Sequence, residues 1–174
     1  MESSAIISED GRFRVRLLRR WRPERPLWLW VMHNPSTADE RADDPTIRRL
    51  IGFTERGGGG GFIVENLFSF RATDPAAVKA AGWPYDPDAN PSLIASLAEC
   101  DGPTVCAWGN ATEGSRIHAV LSMIRRVKRE PFCLGLTQRR QPGHPLYVPY
   151  EQNLISLTDA MENYDVKGAG MADR

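Results

Sequence analysis

The sequence has few cysteines and no long hydrophobic segment. Its three cysteines, Cys100, Cys106 and Cys133, form neither a CxxC pair nor a zinc-finger spacing, so no cysteine-ligated metal or iron–sulfur cluster is expected. The longest apolar runs, of which Leu27–Met32 is an example, are too short to cross a bilayer. Residues 1–20 contain no apolar segment of the kind found in secretory signals, so we expect a cytoplasmic protein with no membrane partner.

The chain also has no net charge and few lysines. The chain of 174 residues carries 22 basic and 22 acidic side chains, and its length suits a single domain over residues 1–174. Only Lys79, Lys128 and Lys167 are lysines, and the other basic residues are arginines. This bias is typical of a GC-rich genome, and also of a surface whose guanidinium groups bind phosphates and base edges. Because basic and acidic residues lie in different segments, the neutral sum does not exclude a nucleic-acid partner.

Short β-like segments alternate with helical segments along the chain. Residues 1–20 form a predicted β-hairpin, with Arg12, Arg14 and Arg16 on a solvent-facing basic face. Apolar runs predict four strands buried on both faces of a parallel sheet: Leu27–Met32, Phe62–Val64, Thr104–Trp108 and Phe132–Leu136. Helical patterns cover Pro45–Glu55, Pro75–Ala81, Asn90–Glu99, Glu113–Arg129 and Glu151–Met161. The fold class is therefore α/β, with a core over residues 27–162 and a flexible tail over Lys167–Arg174.

Polar and aromatic side chains follow the four predicted strands. In an α/β sheet the ligand crevice lies outside the carboxyl ends of the strands, so these loops form the candidate site. His144 is the strongest titratable candidate there, whereas His33 and His118 are interpreted as structural. Asp44 and Asp74 each precede a proline that can start a helix, which favours a capping role for both.

Five blocks at these strand ends have a distinctive sequence: Asn34–Asp39, Asp43–Arg49, Asn66–Pro75, Ala107–Gly109 and His144–Tyr147. They closely resemble a bacterial and phage family called domain of unknown function 1643. The resemblance extends from about Leu27 to about Leu157, and His33 stands where that family usually has an apolar residue. The family carries no known activity, so this resemblance implies no chemistry.

Four short motifs also follow one another in a particular order: Asn34-Pro35, Asn66–Arg71, Ala107–Gly109 and His144–Leu146. Their order is similar, more distantly, to that of the uracil-DNA glycosylase superfamily, with Leu146 in place of an expected serine. This resemblance implies a three-layer α/β/α sandwich around a central, mainly parallel four-stranded sheet, to which the N-terminal β-hairpin is added.

The glycosylase resemblance implies roles for individual residues. Asn34 would orient the water that attacks the sugar, and His144 would stabilise the negative charge that grows on the departing base. These two are the candidate catalytic residues, and no metal or cofactor is expected. Further candidates would read a flipped base, stack on it, hold phosphates or line the crevice: Asn66, Phe68, Phe70, Arg71, Ser36, Thr37, Asp39, Trp108, Arg139, Arg140 and Tyr147.

Departures from the glycosylase motifs keep other functions open. The implied substrate is a nucleobase in DNA, RNA or a nucleotide, and a nucleobase N-glycosidase is the leading hypothesis. The missing serine, and an asparagine rather than an aspartate at Asn34, favour a non-catalytic module that binds the same ligand. A metal-dependent phosphohydrolase would use Asp39, Asp43 and Asp44, although these lack a metal-binding consensus. The sequence indicates no oligomeric state.

Overall fold

A seven-stranded sheet forms the centre of the protein. The computed structural model describes residues 2–110 and 113–169. The strands lie in the order β1-β2-β4-β3-β5-β6-β7. In chain order they are β1 (Glu2–Ile7), β2 (Arg14–Arg20), β3 (Leu27–Met32), β4 (Gly61–Asn66), β5 (Thr104–Cys106), β6 (Pro131–Cys133) and β7 (Ile155–Ser156).

Five α-helices accompany the sheet in the part of the chain that is described. They are α1 (Pro45–Arg56), α2 (Pro75–Ala80), α3 (Ala89–Glu99), α4 (Gly114–Arg126) and α5 (Leu157–Ala169), and a 3₁₀ turn covers Pro145–Tyr147. No helix among these is long and apolar enough to span a bilayer. The predicted α/β class is confirmed.

The sheet is mixed rather than purely parallel. The strands β4, β3, β5 and β6 run parallel to one another, as the apolar runs predict. Antiparallel β2 lies beside β4, β1 lies beside β2, and antiparallel β7 lies beside β6. The predicted hairpin is present, but it joins the sheet instead of standing apart from it, and the two-residue strand β7 is an addition. A glycosylase-like arrangement of this sheet stays a prediction.

Side chains on alternate residues of β3 fill two separate cores. Leu27, Leu29 and Val31 pack in one cluster with residues of α3 and α4, while Trp28, Trp30 and Met32 pack in another with residues of α1. Successive side chains of a strand point to opposite faces, so helices cover both faces of the sheet. Burial of one such large apolar side chain contributes about 1.5–3 kcal/mol, which explains why the apolar runs specify these strands.

The basic face predicted for the hairpin is only partly exposed to solvent, because Arg12 is exposed whereas Arg14 is buried. Arg14 is 2% exposed and Arg19 is 1% exposed. The prediction is wrong for Arg14 because β2 also pairs with β4 and is therefore an interior strand, covered on its faces. Both guanidinium groups find polar partners in the loop after β3. Arg14 Nη1 donates to the Ala38 carbonyl at 2.8 Å, and Arg19 forms an ion pair of 2.8 Å with Asp43.

The C-terminal helix begins six residues later than predicted. The segment from Glu151 forms a turn and then β7, whose Ile155 pairs with Cys133. The helix α5 begins directly after Ser156, whose hydroxyl oxygen accepts a hydrogen bond of 3.2 Å from the Asp159 amide, as an N-capping serine does. Of the predicted tail, residues 167–169 belong to α5, and residues 170–174 lie outside the described residues.

Candidate functional site

A cavity of about 820 Å³ lies where the parallel strands end. Its volume is within the range of small-molecule binding sites, and its position is the one expected for a ligand crevice in an α/β sheet. The loops after β3, β4, β5 and β6 all contribute to its wall. The polar and aromatic lining residues are His33, Asn34, Ser36, Thr37, Asp44, Thr46, Thr73, Trp108, Asn110, Thr137, His144 and Tyr147.

The orientation of the Asn34 carboxamide is fixed by three hydrogen bonds. Its Nδ2 atom donates to the Pro35 carbonyl at 3.0 Å and to the Ala72 carbonyl at 2.8 Å. Its Oδ1 atom lies 2.8 Å from His33 Nδ1. Because carbonyls can only accept, the amide nitrogen must face them, and Oδ1 therefore accepts from His33. One lone pair of Asn34 Oδ1 remains for a further donor.

His33 was interpreted as structural from the sequence, and the structure places it in the cavity wall. Donation to Asn34 fixes the proton of His33 on Nδ1, so Nε2 is an acceptor. The ring packs edge-on against Phe68 and Trp83, with centroid distances of 5.4 and 6.1 Å. Burial lowers the pKa of His33 below its usual value. A neutral, oriented histidine thus supports Asn34, and no local sequence signal identified this pairing.

His144 lies on the loop before the 3₁₀ turn and also lines the cavity. Its Nδ1 atom accepts the Leu146 amide N–H at 3.3 Å, which places the ring proton on Nε2. The Nε2 atom of His144 has no hydrogen-bond partner among the described residues, and it is not one of their buried, unpaired polar atoms. Burial, with a smaller contribution from His33, lowers the pKa of His144 to about 4. At neutral pH the ring is therefore an uncharged Nε2–H donor.

The loop that carries His144 is held from two sides. Arg49 of α1 donates from Nε to the Pro145 carbonyl at 3.0 Å and from Nη2 to the Val148 carbonyl. The opposite wall approaches closely at Gly109, where φ is +70°. A Cβ atom at this position would lie 3.2 Å from the Cβ of His144. Glycine therefore suits position 109 because it tolerates the positive φ and has no Cβ to crowd His144.

Two buried arginines hold the loop after β3. Arg19 Nη2 donates to the Asp39 carbonyl at 2.5 Å in addition to its ion pair with Asp43. Burial lowers the pKa of Arg14 to about 10, so this guanidinium is still charged at neutral pH when it binds the Ala38 carbonyl. Asp44 ends the loop, lines the cavity and caps α1, since its Oδ1 accepts the Ile47 amide at 2.9 Å. Its predicted capping role is confirmed.

The predicted site residues divide into two groups. Asn34 and His144 both line the cavity, and Ser36, Thr37, Trp108 and Tyr147 line it as well. Seven others are not among the lining residues: Asn66, Phe68, Phe70, Arg71, Asp39, Arg139 and Arg140. The assigned roles of the second group stay predictions.

Most of the residues outside the cavity wall have structural partners. Phe68 is buried against His33, and Phe70 packs edge-on against Phe13 at 5.9 Å. Arg71 Nε donates to the Ser36 carbonyl at 3.5 Å. Asn66 is 5% exposed, and neither its amide oxygen nor its amide nitrogen has a hydrogen-bond partner among the described residues. Asn66, the residue expected to read the base, is thus enclosed at the end of β4.

The three aspartates proposed for a metal site are each used elsewhere. Asp39 Oδ1 accepts the amides of Arg41 and Ala42, Asp43 pairs with Arg19, and Asp44 caps α1. Within residues 2–110 and 113–169, no group of three or more His, Cys, Asp and Glu side chains could hold a metal ion. The carboxylate arrangement therefore gives no support to the phosphohydrolase hypothesis.

Comparison with known proteins identifies the family but not an activity. No curated protein and no solved structure matches the chain, so the similarity to the uracil-DNA glycosylase superfamily stays a prediction. One family profile, described as "Protein of unknown function (DUF1643)", matches residues 14–146. That range includes β2 and all the residues of the cavity wall except Tyr147 and Val148. The chain therefore belongs to the DUF1643 family.

Proposed function

We propose that this protein is a nucleobase N-glycosidase whose reaction takes place in the cavity between Asn34 and His144. The observation that carries the proposal is their complementary hydrogen bonding. Asn34 offers an oriented acceptor, Oδ1, and His144 offers a neutral donor, Nε2–H, in the wall of one cavity. Hydrolysis of a glycosidic bond needs one group to orient water and another to stabilise the leaving group.

In this proposal Asn34 orients the attacking water. The free lone pair of Oδ1 accepts one O–H of the water, which turns the water oxygen toward C1′ of the sugar. The water oxygen forms a bond to C1′ as the bond between C1′ and the base nitrogen breaks, and the electron pair of the broken bond leaves with the base. A carboxamide is too weak a base to keep the proton of the water, so that proton passes to solvent or to the departing base. The precise hold on Asn34 by His33 and Ala72 supports this positioning role.

His144 stabilises the departing base. Negative charge accumulates on the ring atoms of the base as the glycosidic bond breaks, and Nε2–H of a neutral imidazole can donate to an atom that carries it. Removal of one such donor typically costs about 100- to 1000-fold in rate. Trp108 and Tyr147 also line the cavity, and the exposed ring of Tyr147 offers aromatic surface for a planar base. Asn66 has no part in the proposed mechanism because it does not line the cavity.

Release of free base from nucleosides and oligonucleotides tests the proposal. A panel containing uracil, hypoxanthine and modified bases should yield free base by chromatography, and His144→Ala should lower the rate by about 100-fold or more. His118→Ala is the matched control, since His118 is exposed on α4 and does not line the cavity. The proposal fails if no base is released from any member of the panel, or if His144→Ala releases base at the native rate.

A second candidate function is a non-catalytic module that binds the same ligand. The observation in its favour is that every hydrogen of the Asn34 amide, and one lone pair of its oxygen, already have protein partners. Such saturation is common for asparagines that only shape a loop. Ligand binding without release of base, in both the native protein and Asn34→Asp, would favour this module over the glycosidase.

A further inference from the structure

Three arginines next to the cavity wall, Arg48, Arg49 and Arg71, donate to backbone carbonyls. Arg71 reaches the carbonyls of Ser36 and Gly11 at 3.5 and 3.3 Å, and Arg49 holds the His144 loop. Arg48 Nη1 donates to the Asp43 carbonyl at 2.6 Å. The planar guanidinium fork suits this task as well as it suits phosphate. The arginine-rich composition is thus used, around the cavity, to hold its walls together.

The charges beneath the wall are balanced. Four charged groups lie close enough to Arg14 to influence its pKa: Asp44, Arg71, Arg19 and Asp39. A further carboxylate, Asp43, forms an ion pair with Arg19. Three guanidinium groups therefore face three carboxylates, the third being Asp44. This cluster leaves no excess of positive charge to attract an anion into the cavity.

The cavity wall itself carries a carboxylate rather than a cation. Among the described residues that line it, Asp44 is the sole Asp, Glu, Lys or Arg side chain. His33 and His144 also line it, and burial favours the neutral form of both rings at pH 7. A phosphate that entered would meet the Asp44 carboxylate, while Arg14, whose charge interacts with that carboxylate, does not line the cavity. No described lining residue would therefore offer the phosphate a countercharge, and desolvation of an unpaired anion is costly.

We propose that the cavity takes an uncharged ligand, a free nucleobase or an unphosphorylated nucleoside, in preference to the corresponding nucleotide. This inference rests on the proposed function for the nucleobase, and adds the chemical class of the substrate. It replaces the expectation that Arg71 holds a phosphate at the site, and the phosphate-binding roles of Arg139 and Arg140 stay predictions. Uncharged donors and acceptors in the wall, the Nε2–H of His144 and the side chains of Ser36, Thr37 and Asn110, suit a nucleoside.

Titration calorimetry on the intact protein tests the preference directly. The probes are uridine and inosine, each compared with its 5′-monophosphate, at low and at physiological salt. We expect the nucleoside to bind about tenfold more tightly than the monophosphate or better, with an affinity that salt does not change. Tighter binding of a monophosphate that weakens as salt is added would overturn the proposal, and so would a failure of both nucleosides to bind.

The variant Asp44→Asn tests the cause of the preference. An asparagine keeps a side-chain oxygen for the Ile47 amide and removes the negative charge from the wall. We expect the ratio of the monophosphate affinity to the nucleoside affinity to rise about tenfold. Asp74→Asn is the matched control, because Asp74 caps α2 through the Ala76 amide at 2.8 Å and does not line the cavity. An equal effect of the two variants would overturn the role of Asp44.

These measurements separate this inference from the proposed function. Tight nucleoside binding with no base released from any substrate would refute the glycosidase and leave the ligand class intact. Faster base release from nucleotides or oligonucleotides than from nucleosides would support the glycosidase and refute the preference for an uncharged ligand. The comparison of native affinities needs no variant, so it decides the matter even if Asp44→Asn does not fold.

Discussion

His33 Nδ1 lies 2.8 Å from Asn34 Oδ1, and two carbonyls elsewhere in the chain decide the direction of that hydrogen bond. Ala72, which follows β4, accepts from the Asn34 amide and so turns its oxygen toward His33. The neighbouring pair therefore acts as a unit whose geometry depends on a contact 38 residues away. The contact to Asn34 makes Nε2 of His33 an acceptor. His144 is the opposite tautomer, because its Nδ1 accepts the Leu146 amide and its Nε2 is therefore a donor.

The tautomers can be observed by nuclear magnetic resonance. Long-range ¹H–¹⁵N spectra at pH 7 should report His33 protonated on Nδ1 and His144 protonated on Nε2. Asn34→Ala removes the acceptor at His33 Nδ1, so His33 should lose its fixed tautomer while His144 keeps its own. Identical tautomers for the two rings in the native protein would contradict the hydrogen bonding described for the cavity.

Acid should destabilise the protein through His144. The pKa of His144 is about 4 in the folded state and 6.5 in the unfolded chain, so the unfolded chain binds more protons between these values. Stability is therefore fully present above pH 6.5 and is lost as the pH falls toward 4, by about 2 kcal/mol between pH 7 and 5. Urea unfolding at both pH values should show a smaller loss for His144→Gln. His118→Gln, at an exposed position, should keep the native dependence.

Glu65 should have the opposite effect on pH dependence. Its carboxylate is 2% exposed and accepts the hydroxyls of Ser92 and Ser96 at 2.8 and 2.7 Å, and burial raises its pKa to about 7. The folded state then holds a proton that the unfolded chain has released, so this contribution is present below pH 4.5 and is lost as the pH rises through 7. Glu65→Gln should exceed the native stability at pH 9 by about 2–3 kcal/mol, with little difference at pH 5. Glu55→Gln, at an exposed position of α1, should follow the native curve throughout.

The guanidinium group of Arg49 should be required to hold the His144 loop in place at the cavity. Its guanidinium binds the carbonyls of Pro145 and Val148 and lies 3.6 Å from the centre of the Tyr150 ring. Lysine cannot form both hydrogen bonds from a planar group, so Arg49→Lys should cost about 1–3 kcal/mol of stability and weaken ligand binding. Arg126→Lys, an exposed change at the end of α4, is the control for both measurements. Native ligand affinity in Arg49→Lys would show that the His144 loop holds its position without this clamp.

Two buried threonines should respond differently to the same change. Thr54 Oγ1 accepts the Trp30 indole N–H at 3.0 Å, whereas Thr104 Oγ1 is buried without a partner among the described residues. Thr54→Val leaves the indole unpaired and should lower stability by about 1–3 kcal/mol. Thr104→Val removes an unpaired hydroxyl of the same shape and should leave stability unchanged or raise it. The two melting temperatures, compared with that of the native protein, test both expectations.

Local chemistry made much of the fold predictable. Asp44 and Asp74 are confirmed as N-caps because an aspartate before a proline needs only the next few residues to act. The strand β3 could be identified because burial on both faces leaves a continuous apolar run. The hairpin could be identified from the sequence, but its position in the sheet could not, because the pairing of β2 with β4 joins segments that lie far apart in the chain.

The candidate site was predictable to a smaller extent. Asn34 and His144 were identified at strand ends, where topology alone brings polar side chains together. His33 was missed because its role depends on the orientation of Asn34, and that orientation depends on Ala72. The arginines were assigned to phosphate because the sequence gives their number and type but not the carbonyls to which Arg49 and Arg71 donate.

The amino-acid sequence by itself determined the α/β class, the four parallel strands and the edge of the sheet at which the cavity lies, because hydrophobic periodicity and helix caps act over a few residues. Only the tertiary structure decided which charges face one another, which ring nitrogens carry protons and which guanidinium groups hold the loops. Those properties depend on burial and on distances of a few ångströms between remote segments, where electrostatic and hydrogen-bond energies are decided.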